Sequence, residues 1–516
     1  MFWADEIANK LDKKKKQLVD DAWSASGFAH VGSLRGVIIH DIANRTLIKD
    51  GLDTRYTFIM DDIDPMDGMP GYLDANVYNQ EMGKPLCDIP APDKKFGSLA
   101  RYFGEDFIET SKLAGSQPEF LWNSEIYKSG KYNEVIKIAL DKAQEISNIY
   151  RKYNGVEKGE QWYPFQPICE KCGKIGTTTV TSWDGENISY VCEESKVEWA
   201  KGCGYEGKQS PYDGKGKLYW RVEWPARWKA LCITVEGEGK DHWSAGGSRD
   251  LADILIKDIF NYRSPIDIRY DWLYIGGKKM SSSKGIGVTA KEMATLLPNE
   301  VLRFLMAKNP RKTIDFDPEG VTIPNLFDDY DRAMKAFQKE IDFPDLGRAY
   351  EIVQEKGFEP GYRMRFSKVA LAIQMPKIDI HKEAENEKGS KLTKSELANL
   401  DERIIYAQKW LDKYAPADYV FKVLDKEPTI TLSKVQKDFL TKLIEIFKTK
   451  KDWKGEELHS ELHEVKKSME ISPKDAFSAI YLSFLGKESG PQAGWLLASL
   501  DHDFVATRLY NMSRSK

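Results

Sequence analysis

Between Leu18 and Met60 the chain has few ways to fold. An apolar stretch at Leu18–Trp23 reads as a strand and runs into a loop of small residues, Ser24–Ser33 (SASGFAHVGS). Leu34, Ile38 and Ile42 then recur at four-residue spacing up to Gly51, which predicts a helix with a glycine stop. Tyr56–Met60 (YTFIM) predicts a second strand. Strand, helix and strand in so short a span describe a βαβ unit, and the helical pattern of Glu134–Tyr153 completes a first α/β half. The same alternation returns further on, with strands expected at Leu218–Val222, Cys232–Glu236 and Ile268–Ile275 and a helix at Pro225–Leu231. Short helices are expected over 289–320. Beyond about 330 strand signals fade and helical periods dominate, as at Val435–Phe447, Glu456–Ser468, Pro473–Leu485 and around Trp495–Tyr510. Ser472 before Pro473 is an N-cap and N1 pair. The charged stretch His381–Lys394 reads as a solvated linker or helix face.

At 516 residues the chain has room for several domains and a sizeable core, and 41% hydrophobic with 30% charged residues suits a soluble globular protein. No apolar run approaches the length of a membrane span, and the N-terminal MFWADEIANK is not a signal peptide. Six cysteines in so long a chain do not make a disulfide framework, so a cytoplasmic location is the expectation. The net charge of −4 neither demands nor excludes a nucleic-acid partner.

Five places carry chemistry. The loop holding His30, Gly32 and Ser33 opens onto a helix N-terminus, where free N–H groups and the helix dipole favour anions. A glycine at position 32 lets a flat nucleotide base approach the backbone. Gly276–Gly287 (GGKKMSSSKGIG) gathers lysines and serines between glycines, a composition suited to phosphate oxygens or to a plain solvated turn. Cys169 and Cys172 at two-residue spacing, with Cys192 and Cys203 across a short insert, suit a tetrahedral zinc site of structural type, Cys203 being the least certain ligand from spacing alone. Asp61, Asp62 and Asp64 end the second strand, and Asp241 and His242 a later one, both at the crevice side of an α/β sheet.

Together these stretches resemble class I aminoacyl-tRNA synthetases: His30–Ser33 (HVGS) is similar to their HIGH element and Lys279–Ser283 (KMSSS) to their KMSKS loop. Within that class the chain resembles the archaeal-type lysyl-tRNA synthetases, in S-x-S-G-x-x-H-V-G at 24–32, D-D-x-D-P at 61–65, NSEIYKSGKY at 123–132, WRVEWPARW at 220–228, G-K-D-H at 239–242 and LGKESGP at 485–491. The resemblance implies a Rossmann-type parallel-sheet catalytic domain in two halves (1–155 and 217–275) around a zinc-binding insertion (156–216). A KMSKS and stem-contact region (276–335) and an all-helical anticodon-binding domain (336–516) would follow. It implies that lysine and ATP, with magnesium, give lysyl-adenylate, and that the lysyl group passes to the acceptor end of tRNA-Lys; no DNA or membrane partner is implied. ATP would be held by His30, Gly32, Ser33, Asp241, Lys279, Met280 and Ser282, with His30, Lys279, Ser281 and Lys284 acting on the transferring phosphate. Substrate lysine would meet Ser24, Trp220, His242 and Tyr270, with one of Asp61, Asp62 or Asp64 at its charged end. The alternatives are another amino-acid specificity in the same class, or a non-catalytic tRNA-binding paralogue.

Several positions depart from the family pattern. Ala25 replaces a usual proline, Ser33 an asparagine or histidine, and Ser282 the second lysine of KMSKS, leaving Lys284 as the nearest later cation. Ser98, Leu99 and Glu105 stand where relatives can carry ligands of a further Cys/His metal site, so that site is expected to be missing.

Overall fold

The computed structural model describes residues 1–155, 159, 161–244, 246–277, 289–355, 358–375 and 378–515. Its strands are β1 (Gln17–Trp23), β2 (Thr54–Met60), β3 (Glu119–Trp122), β4 (Phe165–Pro167), β5 (Thr178–Trp183), β6 (Ile188–Cys192), β7 (Glu206–Gln209), β8 (Gly216–Leu218), β9 (Val235–Gly239), β10 (Ile266–Tyr270), β11 (Leu273–Tyr274) and β12 (Ile314–Asp315). Five of them form one parallel sheet in the order β10-β9-β1-β2-β3. The connection leaving β1 packs toward β2, while β9 and β10 lie on the other side of β1, so the order reverses between β1 and β9. At such a switch point the connections depart to opposite sides and leave a crevice at the carboxyl ends. Here β1 and β9 pair only at Val19↔Val235 and Asp20↔Glu236, although β1 runs on to Trp23 and β9 to Gly239. Their carboxyl ends thus part, and the crevice opens between them.

The helix Val31–Lys49 crosses from β1 to β2. Its apolar positions predict one buried face, yet residues are buried on all sides, among them Val31, Leu34, Arg35, Val37, Ile38, His40 and Ile42. The sheet covers one side, and the helices Trp3–Ala8, Leu99–Leu113, Ala290–Leu296, Asn299–Ala307 and Pro344–Val353 pack around the others. A helix enclosed in this way has no solvent face to mark it as amphipathic.

Several expected elements differ in the structure. The long helix over 134–153 is two, Asn133–Asp141 and Ala143–Asn154, because Lys142 leaves helical dihedrals (φ −107°, ψ 23°) while Ile146 N–H still reaches its carbonyl at 3.0 Å. Leu218–Val222 is not a strand: β8 ends at Leu218 and the helix Trp220–Leu231 follows, with Pro225 inside it. Asp271 ends the expected strand 268–275 early, its N–H bonding to Pro310 O at 2.9 Å and its carboxylate accepting from Trp272 N–H at 2.7 Å. The final helical segment divides into Ala493–Ala498 and His502–Ser513, the second capped by Asp501.

Between β3 and β9 the chain forms the antiparallel pair β4–β8 and the antiparallel sheet β5-β6-β7, which carries the cysteines. The chain divides into two compact units, 1–316 with 333–356, and 317–332 with 357–516, so it passes between them more than once rather than at a single boundary near 336. The second unit is helical among its described residues, around Phe439, Leu443, Leu462, Ile480, Phe484, Leu496 and Leu509. Capping boxes at Thr393 and Ser433, and Ser472 with Pro473, start three of its helices. His381–Lys394 contributes a helix, Ile380–Lys388, to this unit. Among the described residues no helix is long and apolar enough to cross a membrane.

Candidate active site and metal centre

Two adjoining cavities occupy the crevice, and both are lined by Asp21, Ala22, Gly239, His242 and Tyr270. The first, of about 280 Å³, is headed by His30, Gly32 and Ser33, with Asp241 opposite. His30 is the N-cap of the Val31–Lys49 helix: its Nδ1 accepts the Gly32 N–H at 2.9 Å. That bond leaves the ring proton on Nε2, and burial lowers the pKa below the ordinary imidazole value, so His30 is a neutral N–H donor at a helix N-terminus. A Cβ at Gly32 would lie 2.6 Å from His30 Cε1, so the room this glycine leaves is filled by the imidazole rather than left for a base. Ser33 lines the same cavity, and Asp241 Oδ2 accepts from Trp272 Nε1 at 3.3 Å.

Beneath the cavity, buried His40 bonds Gly36 O through Nδ1 at 2.8 Å and accepts the Gly237 N–H at Nε2 (2.7 Å). It therefore joins the Val31–Lys49 helix to β9. Arg35, buried in the cavity wall, donates to Trp272 O (2.8 Å) and Pro310 O (2.9 Å), and burial lowers its pKa to about 10. The expected phosphate loop, with Lys279, Met280, Ser281, Ser282 and Lys284, lies outside the described residues. Its flanks are described: Gly277 N–H bonds Asp315 Oδ1 at 2.9 Å, and Thr289 forms a β-bridge with His30.

The second cavity, of about 560 Å³, falls in the usual range for small-ligand sites. Ser24, Asp61, Trp220, His242 and Tyr270 line it. Trp220, Trp224 and Trp228 lie in a row along one helix face, the first pair tilted and the second edge-to-face, and the rings of Trp220 and Trp224 each lie 5.8 Å from His242. Burial pushes the pKa of Asp61 up to about 7, against the pull of Arg227 at 3.5 Å. Asp62, one of the three candidates for the charged end, does not line the cavity. It accepts from Ser124 N–H (2.7 Å) and Ser124 Oγ–H (2.6 Å), capping the Asn123–Lys128 helix. Asp64 is committed as well, to Ser24 Oγ at 2.5 Å and to Lys217.

Lys217, Glu223, Arg227, Glu236 and Glu238 also line this cavity, and sequence reading singled out none of them. Lys217 is buried between Asp64 and Glu223, the latter at 2.8 Å. Burial lowers its pKa, but the two carboxylates outweigh that and raise it, which keeps the ammonium charged. One signal was available: Glu236 and Glu238 alternate along VEGEG, a segment that must enter the middle of a covered parallel sheet. Charges there require partners or a ligand.

Away from the crevice the structure brings Cys169, Cys172, Cys192 and Cys203 together, their sulfurs all within 4.8 Å of one another. Sγ–Sγ is 3.7 Å for Cys169–Cys203 and for Cys172–Cys192. Tetrahedral thiolate ligation of zinc requires about 3.8 Å between sulfurs, so the donor set fits. Gly173 and Gly204, both at positive φ, close turns whose N–H groups return to Cys169 O and Cys192 O at 2.8 Å. Those turns bring Cys203 in despite its distance from Cys192 in sequence.

Comparison with known families agrees with this geometry. The family described as tRNA synthetases class I (K) matches residues 1–356, and an anticodon binding domain matches 370–512. Lysine–tRNA ligase 1 of Methanosarcina acetivorans is 36% identical, covering 99% of this chain and 98% of that protein. The lysine–tRNA ligases of Methanosarcina barkeri and Archaeoglobus fulgidus are 35% and 34% identical, each over 99% of this chain and 98% and 99% of their own lengths. Carrying a parallel sheet with a crevice at its reversal point and similar to these relatives from end to end, the chain belongs to the class I (K) family of tRNA synthetases.

Proposed function

We propose that the protein is a cytoplasmic lysine–tRNA ligase, which activates lysine with ATP and transfers it to tRNA-Lys. One observation carries the reading. Two cavities share a wall at the reversal of the sheet, one headed by a neutral histidine at a helix N-terminus, the other lined by carboxylates and tryptophans. The first suits a triphosphate and the second a cation with an apolar stem. The full-length similarity to proteins named lysine–tRNA ligase supports the same reading.

ATP lies with its phosphates against His30 and the first turn of the helix and its ribose toward Asp241. Magnesium, which class I synthetases use with ATP, neutralises phosphate charge when bound. Lysine enters the second cavity with its stem along Trp220 and Trp224, its carboxylate facing the α-phosphate across the shared wall. A carboxylate oxygen attacks phosphorus and pyrophosphate leaves. The substrate supplies the nucleophile, so the chain needs only to align reactants and stabilise developing charge. His30 does this by donating Nε2–H; a neutral donor costs no protonation at physiological pH. Zinc on the four cysteines would hold the insert folded, with β4 joining the metal centre to β8 and so to Lys217. The 370–512 domain contacts the anticodon, where unstacked bases meet aromatic and basic side chains.

Pyrophosphate exchange into ATP, measured with each of the twenty amino acids, tests this. Exchange with lysine alone is expected; exchange with arginine or glutamate and none with lysine would overturn the specificity. No exchange at all, with tRNA binding intact, would overturn the enzyme.

A further inference from the structure

The loop Ser24–Ala29 runs between the two cavities: Ser24 and Ser26 line the larger one, and His30, directly after the loop, heads the smaller. These six residues belong to no helix or strand, so the loop takes its course from what holds it. Each end has a tether of its own. Ser24 Oγ donates to Asp64 at 2.5 Å, and Ala29 O accepts the Ala290 N–H at 3.1 Å, beside the bridge between His30 and Thr289.

The middle is held by a side chain from outside the loop. Phe28 N–H donates to Tyr72 Oη at 2.9 Å. The Phe28 ring closes the same contact, its centroid 5.2 Å from Tyr72, 5.2 Å from Phe103 and 5.8 Å from Tyr102. Tyr72 is backed in turn by Phe103 at 6.0 Å, which is buried in the helix Leu99–Leu113. The loop backbone passes so close under this group that a Cβ at Gly27 would lie 2.8 Å from Tyr72 Oη and 3.6 Å from Pro70 Cγ. Yet Tyr72 keeps 47% of its surface exposed, so burial in the core does not explain its place.

We infer that Tyr72 is a positioning residue for His30: its hydroxyl fixes the peptide between Gly27 and Phe28, and so sets where the imidazole two residues on carries its Nε2–H. The ring cage alone holds the Phe28 side chain. It leaves the Gly27–Phe28 peptide free to turn, because Gly27 has no Cβ to restrict it, and the hydrogen bond removes that freedom. Tyr72 also lies on the segment after β2 whose Asp61, Asp64 and Asp67 line the larger cavity, so one stretch of chain both walls that cavity and steadies the donor of the other. The inference rests on the reading of His30 as the phosphate donor.

The experiment uses the full chain. Tyr72→Phe removes the hydroxyl and keeps the ring. A single hydrogen bond of ordinary strength corresponds to about 3- to 10-fold, and kcat for lysine-dependent pyrophosphate exchange should fall by that factor. KM for lysine should stay within about twofold, since Asp64 holds the Ser24 end independently. In a His30→Ala background, where the donor is already gone, Tyr72→Phe should change kcat by less than about twofold. Hydrogen exchange of the peptide covering 24–30 should quicken by about 3- to 10-fold with the unfolding midpoint unmoved. Gly27→Ala, which keeps the hydroxyl but displaces it, should reproduce the loss in kcat.

A wild-type kcat in Tyr72→Phe would overturn the assignment, as would an equal fractional loss with and without His30, which marks a merely structural contact. Should Tyr72→Phe fail to fold, Gly27→Ala decides, and a wild-type kcat there overturns it. A wild-type kcat in His30→Ala would remove the phosphate-donor reading and this inference with it. If the unaltered protein shows no lysine exchange, the lysine reading falls, and hydrogen exchange over 24–30 still judges the tether: unchanged exchange in Tyr72→Phe overturns it, and faster exchange upholds it.

Discussion

Gly32→Ala puts one methyl group into the most tightly built point of the site. Its Cβ would stand 2.6 Å from His30 Cε1 and 2.8 Å from Nδ1. Carbon atoms in contact need about 3.5 Å, so the imidazole must retreat by about 1 Å, and its bond to the Gly32 N–H is lost with it. A displacement of that size in a positioned catalytic group costs about 10²-fold in kcat. His30→Ala, which removes the donor altogether, should cost about 10²- to 10³-fold. Because both changes abolish one interaction, the double variant should be no slower than His30→Ala, whereas independent effects would multiply to about 10⁴-fold or more. Stability should barely move: alanine improves helix propensity by up to about 1 kcal/mol, and the lost cap costs about the same. The assay is kcat for lysine-dependent exchange at saturating ATP, with denaturant unfolding of each variant alongside. A wild-type kcat in Gly32→Ala, or multiplicative loss in the double variant, would refute the placement of His30 as the phosphate donor.

Three further outcomes are expected. Cys172→Ser should lower bound zinc from about one equivalent per chain and destabilise the insert, seen as an earlier unfolding transition, while KM for ATP holds; an unchanged transition would make the cluster dispensable to the fold. Lys279→Ala, in the loop after Gly277, should reduce kcat for adenylate formation more than it raises KM for ATP, and an unchanged kcat would return that stretch to a solvated turn. Acid should act through His30: its folded pKa lies below the unfolded value near 6.5, so the unfolded chain binds the extra proton first. Its contribution to stability is full above about 6.5 and declines as pH falls, and exchange falls with it once Nδ1 is protonated; His30→Ala should lose the acid limb, as exchange titrations would show.

The signals that sequence carried were local. The small-residue loop before Val31 and the four-residue apolar spacing after it marked a strand–loop–helix junction, because both depend on residues next to one another in the chain. The Cys169–Cys172 spacing was legible for the same reason. Cys203 was the least certain ligand from spacing, since its approach depends on the β6–β7 pairing and on the turn at Gly204. Helix start points were readable where the cap was short-range, as at Ser472. Trp220–Val222 was misread as strand because alternating tryptophan and valine satisfy both periods, and only packing of the three indoles along one face decides for helix.

By itself the sequence determined the parallel α/β architecture, the helical C-terminal part, the cysteine-bearing insert and the place of His30 at a helix N-terminus. Tertiary structure alone decided which carboxylates in and behind the larger cavity are paired. Asp62 and Asp64 look as available in the chain as Glu238 does, but Ser124 takes the first, Ser24 and Lys217 take the second, and Arg249 occupies only one oxygen of the third. Those partners lie tens to more than a hundred residues away along the chain for the aspartates, and eleven for Glu238. Whether a buried carboxylate is fully paired is settled by which donors the fold brings within 3 Å, and spacing in sequence does not encode that.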